Sequence, residues 1–348
     1  MVSNGRVERL NVHPKMTVAP CHKGFKNVDL LYHNDRLRTP LVRVGERGEG
    51  KWKTASWDDA LALVAKRLTE VKERYGNDSI LYYNYEGSHS IPDGTEGSRL
   101  TIERLFSLFG GCIVAKNRGS LCAAAAKAGE HSILATSSIA TIPEPDCKLM
   151  VIWGHNPLET GIRNDGRSSL KAKENGCKFV AVDPVFTTTA RLLGAQHVKV
   201  RPWTDTVLAL ALTKIIIENR WFDSDYVINS TNAPFLVDSE KGLLAKSDDG
   251  QYLVWDSRSN LPAPANSSDV IPTLDPAEKI VSREGRQYKT VWQIVEDNAS
   301  KWTPEKAATV TGVTSSEIEE LARLLGNTKP SKIHYGGSPG LNRGPGGE

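Results

Sequence analysis

The chain has 348 residues, with 44 Lys and Arg against 41 Asp and Glu and a formal net charge of +3. So balanced a charge gives no argument for nucleic acid, no apolar run approaches the ~20 residues of a membrane span, and the first nine residues lack the apolar core of a signal peptide. Five scattered cysteines, Cys21, Cys112, Cys122, Cys147 and Cys177, do not read as a disulfide framework, so a reducing compartment is the default.

A chain this long can bury a full core, and one large or two to three ordinary domains are expected. Residues 1–50 are rich in Gly, Pro and charge, with β-like pieces such as Arg6-Val-Glu-Arg-Leu10. Residues 51–145 read as a helical region. Ser56 with Asp59 three residues on resembles a capping box in which Asp replaces the usual Glu. Ala60, Leu61, Val64, Leu68 and Val71 then recur at helical spacing, and Gly76 stops the run. Gly97 to Phe109 repeats the pattern more weakly.

Residues 146–335 carry the strand–helix units. Apolar runs at Lys148-Leu-Met-Val-Ile-Trp153, Lys178-Phe-Val-Ala-Val182 and His197-Val-Lys-Val-Arg201 are separated by spacers that allow crossovers, which predicts parallel strands. Residues 232–280 are polar and poorly periodic, a long excursion with a small hairpin near Gln251-Tyr-Leu-Val-Trp255. Helices are expected over 290–299 and 315–325, and a strand near Ser331-Lys-Ile-His-Tyr335. The tail, 336–348, holds six glycines. The expected fold class is α/β: a parallel Rossmann-like sheet with helices on both faces, a helical or mixed region, and a small β-rich N-terminal piece.

Three features carry chemistry. The first is the set of strand ends. Gly154 lets backbone approach a phosphate, and a helix started by Pro157 would turn its N–H groups towards that phosphate. Asp183 ends the next run and can accept from a ribose hydroxyl, as in dinucleotide folds. Equally, parallel strands end in Gly or Asp simply because loops need them, and no GxGxxG is present. The second is Cys122, ahead of Ala123-Ala-Ala-Ala126. It reads either as a thiolate favoured at a helix start or as a small buried hydrophobe. The third is Cys21 in Pro20-Cys-His-Lys-Gly24, by spacing an isolated thiol.

Taken together, these segments resemble the molybdopterin oxidoreductases of the dimethyl-sulfoxide-reductase type, which bind a bis-molybdopterin guanine dinucleotide cofactor of molybdenum or tungsten. Cys21-His-Lys-Gly24 is similar to the context of the family's last iron–sulfur cysteine. Tyr32-His-Asn-Asp-Arg-Leu-Arg-Thr-Pro-Leu41 resembles the segment that follows, and Gly48 to Leu61 resembles its GxGxxxxxSWDEAL signature. Trp153-Gly-His-Asn-Pro157, Asp183-Pro184 and Pro202-Trp-Thr-Asp205 match its dinucleotide segments.

The resemblance implies that Cys122 is the catalytic protein ligand to Mo or W, and that Lys23 lies between cluster and pterin. It implies cofactor contacts from Trp153, Gly154, His155, Asn156, Pro157 and Glu159 to pyrophosphate and ribose. Asp183, Pro184 and Thr187 would line the nucleotide end, and Asp205, with Trp203 and Thr204, would meet the guanine. It further implies domains 1–50 (remnant of an iron–sulfur domain), 51–145 (first part of a split α/β domain), 146–335 (dinucleotide-binding) and 336–348 (a truncated tail).

Cys21 has no cysteine partners upstream, so a 4Fe-4S cluster, which takes four thiolates, is expected only in a complete protein. Trp203 stands where the family commonly has Gly. The chain is therefore expected to be the N-terminal portion of a catalytic subunit performing two-electron redox or oxygen-atom transfer. Its expected partners are a missing C-terminal half or complementing subunit and an iron–sulfur electron-transfer subunit, with no nucleic acid and no direct membrane span. Cytoplasmic placement is the default, with periplasmic export open. The alternatives are a non-catalytic structural relative in a respiratory complex and a nicotinamide-dependent Rossmann enzyme.

Overall fold

The computed structural model describes residues 1–11, 22–84, 99–116, 129, 131–133, 147–160, 166–276 and 285–336. The chain divides into two compact units, Met1–Arg118 and Gly119–Glu348.

In the first unit, strands β1 (Val2–Ser3) and β2 (Arg6–Val7) make a hairpin, and β3 (Leu41–Arg43) and β4 (Trp52–Thr54) make another. The helix Trp57–Tyr75 starts as its sequence requires. Ser56 Oγ accepts from Asp59 N at 3.1 Å and donates to the Asp59 carboxylate at 2.6 Å, and Gly76, at φ +83°, ends it. The helix Arg99–Phe109 follows. The expectation that 51–145 is helical needs correction. Strands β4, β5 (Leu81–Asn84) and β6 (Ile113–Lys116) lie inside it, and β5 and β6 pair in parallel. Four-residue runs rich in aromatic and β-branched residues favour strand, yet they are too short to show alternation.

The second unit is built on a four-stranded parallel sheet. Its strands are β7 (Leu149–Trp153), β8 (Lys178–Val182), β9 (Gln196–Val198) and β15 (Ser331–Tyr335), in the spatial order β15-β7-β8-β9. Leu149 pairs with Lys178 on one side and with Ser331 on the other. Every residue of β7 is buried, as a central parallel strand covered on both faces must be. One face packs Leu149, Val151, Val180 and Val198 against the helices Asp205–Glu218, Pro304–Thr311 and Ser315–Asn327. The other packs Met150, Ile152 and Phe179 against Leu158, Ala172 and Leu193 of the helices Pro157–Thr160, Arg167–Glu174 and Thr188–Leu193. The α/β class with helices on both faces is therefore observed.

The third predicted strand is shorter than its apolar run. After Val198 the chain leaves the ladder, and Arg201 N donates instead to Thr311 O at 2.7 Å. The polar excursion is better ordered than its composition suggests. Strands β10 (Leu236–Asp238), β11 (Leu243–Leu244) and β14 (Tyr288–Thr290) form an antiparallel sheet. Strands β12 (Leu253–Asp256) and β13 (Leu261–Pro264) form the expected hairpin. Asp256 anchors it by accepting from the amides of Arg258, Ser259 and Ile271.

Candidate functional site at the strand carboxyl ends

The order β15-β7-β8-β9 creates a topological switch point. From β7 the chain moves one way to β8 and β9, and it returns on the other side as β15. In open parallel sheets the crevice outside such a point is where ligands bind. At this point the tips of β7 and β15 are linked through backbone. Gly336 N donates to Trp153 O at 3.0 Å, and Gly154 N donates to Val182 O at 2.9 Å. Gly154 takes φ +57°, in the left-handed region that glycine enters without strain. A Cβ on Gly336 would lie 2.3 Å from Gly154 O, so only glycine fits there.

Trp153 and Asp205 are joined directly: the indole Nε1 donates to Asp205 Oδ1 at 2.7 Å. Asp205 opens the helix Asp205–Glu218, whose N-terminal dipole suits an acid. Burial pushes its carboxyl above the ordinary carboxylate range. The Trp153 hydrogen bond opposes that shift, and the charge of nearby Asp183 adds to it. Thus the tips of β7, β8 and the helix Asp205–Glu218 bring Trp153, Gly154, Asp183 and Asp205 together.

Asp183 is held from three sides. Its N–H donates to Val198 O, its Oδ1 accepts from Val185 N at 2.9 Å, and its carbonyl meets His197 Nε2 at 2.8 Å. Pro184 is half-buried beside it, and Thr187 caps the helix Thr188–Leu193 by accepting from Ala190 N. Thr204 Oγ donates to Arg201 O, and Trp203 stands 64% exposed at φ +67°.

Asn156, Pro157 and Glu159 serve the loop itself. Asn156 Oδ1 accepts from Thr189 N and Oγ1, and Asn156 Nδ2 donates to Glu159. Pro157 is buried and Glu159 exposed. The expected phosphate contact from the amides of the helix Pro157–Thr160 is not met at Leu158, Glu159 and Thr160. Those donors are spent on Thr189 Oγ1 and Asn156 O. Lys23 is exposed in the short helix His22–Phe25 of the first unit. Cys21 and Cys122 lie outside the described residues.

Sequence reasoning missed His334 and Gly336. His334 is buried on β15, its ring 4.7 Å from that of His155. Burial, then the charges of His155 and Lys332, hold it down at about 4. A strand that ends in Gly was the available signal for Gly336; nothing in the sequence marks His334.

The molybdopterin oxidoreductase family model matches residues 36–319. The chain belongs to the molybdopterin oxidoreductase family. It is 28% identical to the perchlorate reductase subunit alpha of Dechloromonas aromatica (strain RCB) over 93% of this chain and 38% of that relative. It is also 28% identical to the dimethyl sulfoxide reductase DmsA of Haemophilus influenzae over 92% of this chain and 36% of that relative. The acetylene hydratase from Pelobacter acetylenicus shares the fold, with a TM-score of 0.59 at 19% identity, over 94% of this chain and 36% of that one. The chain thus spans little more than a third of the length of these relatives.

Membership implies a molybdenum–pterin cofactor. The space beside Gly336 is taken by Gly154 O, so the two glycines let the tips of β15 and β7 close on each other. Two carboxylates stand near each other to accept from ribose or base, one of them desolvated.

Proposed function

We propose that this chain forms the dinucleotide-binding part of the catalytic subunit of a molybdenum- or tungsten-pterin oxidoreductase. The observation that carries the reading is the glycine-lined switch point with Asp183 and Asp205 beside it, in a chain of this family. In this reading Gly154 and His155 face the pyrophosphate, Asp183 takes the ribose, and Asp205 accepts from the guanine amino group. Trp153 orients Asp205 by occupying one of its oxygens, which leaves the other for the base. Pro184, Thr187, Trp203 and Thr204 frame the nucleotide end. Asn156, Pro157 and Glu159 hold the loop in shape through Thr189. Cys122 is the proposed protein ligand to the metal, and Lys23 the proposed link towards an iron–sulfur cluster whose ligands include Cys21.

When bound, the metal centre would supply two-electron redox chemistry, including oxygen-atom transfer. Oxygen-atom transfer is favoured because the relatives are named for perchlorate and for dimethyl sulfoxide, each of which can give up one oxygen atom. Partner subunits belong to the same proposal, since the perchlorate reductase relative is named as a subunit alpha.

The test is calorimetric titration of the full chain with guanosine 5′-diphosphate and, separately, adenosine 5′-diphosphate. Guanosine diphosphate should bind, and Asp205→Asn should weaken it about tenfold or more, the loss of one charge-assisted hydrogen bond. Equal affinity for the two nucleotides, or no effect of Asp205→Asn, would reject the assignment.

A further inference from the structure

The carboxyl-end crevice leaves unexplained a feature at the opposite edge of the sheet. Cys147 lies two residues before β7 and Cys177 immediately precedes β8. The register pairs Leu149 with Lys178, and Lys178 N donates to Lys148 O at 2.9 Å, so the two cysteines are offset by one residue at the feet of adjacent strands. Neighbouring strands lie ~4.8 Å apart, within the backbone separation that a disulfide spans. Both side chains turn into the same apolar cluster with Met150, Ile152, Ala172 and Phe179, and both are buried. The thiols are free. Each also faces a backbone carbonyl, Cys147 that of Leu149 at 2.9 Å and Cys177 that of Lys178 at 3.4 Å.

We propose that Cys147 and Cys177 are an oxidisable dithiol, a modification site that closes to a disulfide across the amino-terminal edge of the parallel sheet. Burial first, with Cys147 beside it, pushes the Cys177 thiol up to about 12. With a peroxide as oxidant and Cys147 reacting first, its sulfur attacks one oxygen, the O–O bond breaks, the departing hydroxide takes the Cys147 proton as one water, and Cys147 sulfenic acid forms. The Cys177 sulfur then attacks the Cys147 sulfur. The S–S bond forms, the S–O bond breaks, and the departing hydroxide takes the Cys177 proton as a second water. Two thiols lose two electrons, and one peroxide gains them. The bond closes a loop of roughly 30 residues that contains the Gly154 turn.

The test treats the folded full chain with hydrogen peroxide, blocks remaining thiols under denaturing conditions, and maps tryptic peptides by mass spectrometry. Cleavage falls after Lys148, Lys173 and Lys178, so each cysteine lies on its own peptide. The expected result is a linked pair joining the peptide that ends at Lys148 to Glu174-Asn-Gly-Cys-Lys178, lighter than the sum by two hydrogens. Dithiothreitol should return both peptides singly. Recovery of both as alkylated thiols or as sulfinic acids, or their linkage to Cys21, Cys112 or Cys122 instead, would overturn the proposal.

Discussion

Trp153, Asp205 and Trp203 show how single residues set this site. Asp205 is half-buried with a raised carboxyl, so its ionised form is disfavoured in the folded chain. A carboxylate with a raised folded value lowers stability as pH climbs above the ordinary carboxylate range. Asp205→Asn keeps an acceptor for the indole and removes the charge. It is therefore expected to leave thermal stability near neutral pH unchanged or higher while impairing nucleotide binding, as thermal melts and titration together would show. Trp203 sits at φ +67°, where a non-glycine residue costs ~1 kcal/mol. Trp203→Gly should raise the melting temperature slightly and β-branched Trp203→Val should lower it; the reverse order would refute a strain account. His334 gives a pH signature. Its folded value near 4 lies below the ordinary 6.5, so the unfolded chain binds more protons between these values. Stability is fully present above about 6.5 and is lost as pH falls towards 4. A His334→Gln chain should show a flatter melting profile across that window. The position of Asp183 was legible because it directly follows its apolar run, whereas Asp205 lies seven residues beyond β9 at the start of a helix. The Trp153–Asp205 bond was not legible, because it joins residues that only the packing of a helix against the sheet brings together.

At the scale of elements, local chemistry read best. Ser56 and Asp59 made their reciprocal contacts, and β7, β8 and β15 formed at their apolar runs. Legibility failed where the deciding contact was distant. The third run stopped at Val198 because Thr311, more than a hundred residues on, takes the Arg201 amide. β5 and β6 escaped notice because each is validated only by the other. The capping box of the helix Ser315–Asn327 offers a quantitative check. Thr314 Oγ1 accepts from Glu317 N, and the Glu317 carboxylate accepts from Thr314 N. That helix buries Ile318, Leu321, Ala322 and Leu325 against the sheet, so its loosening is transmitted to the core. Thr314→Ala should cost ~1 kcal/mol in denaturant unfolding.

At the scale of the molecule the two units differ in how completely they bury their apolar surface. In the second unit β7 is buried throughout, and seventeen residues form one continuous core cluster. In the first, the helix Trp57–Tyr75 has no buried residue, although Leu61 and Val64 belong to its apolar stripe. Leu105 and Leu108 of the helix Arg99–Phe109 are exposed, as are Leu81 and Tyr83 of β5 and Ile113 and Val114 of β6. A parallel sheet is ordinarily covered on both faces. Local opening free energy tracks buried apolar contact. Hydrogen exchange followed by mass spectrometry should therefore show amides of β7 and β8 protected near the global limit, and those of the helix Trp57–Tyr75 exchanging much faster. Residues 61–64 should also contribute to binding of a fluorescent apolar dye, which Leu61→Lys with Val64→Glu should reduce without loosening β7. Equal protection in the two units, or dye binding indifferent to the double substitution, would mean that the first unit is already complete.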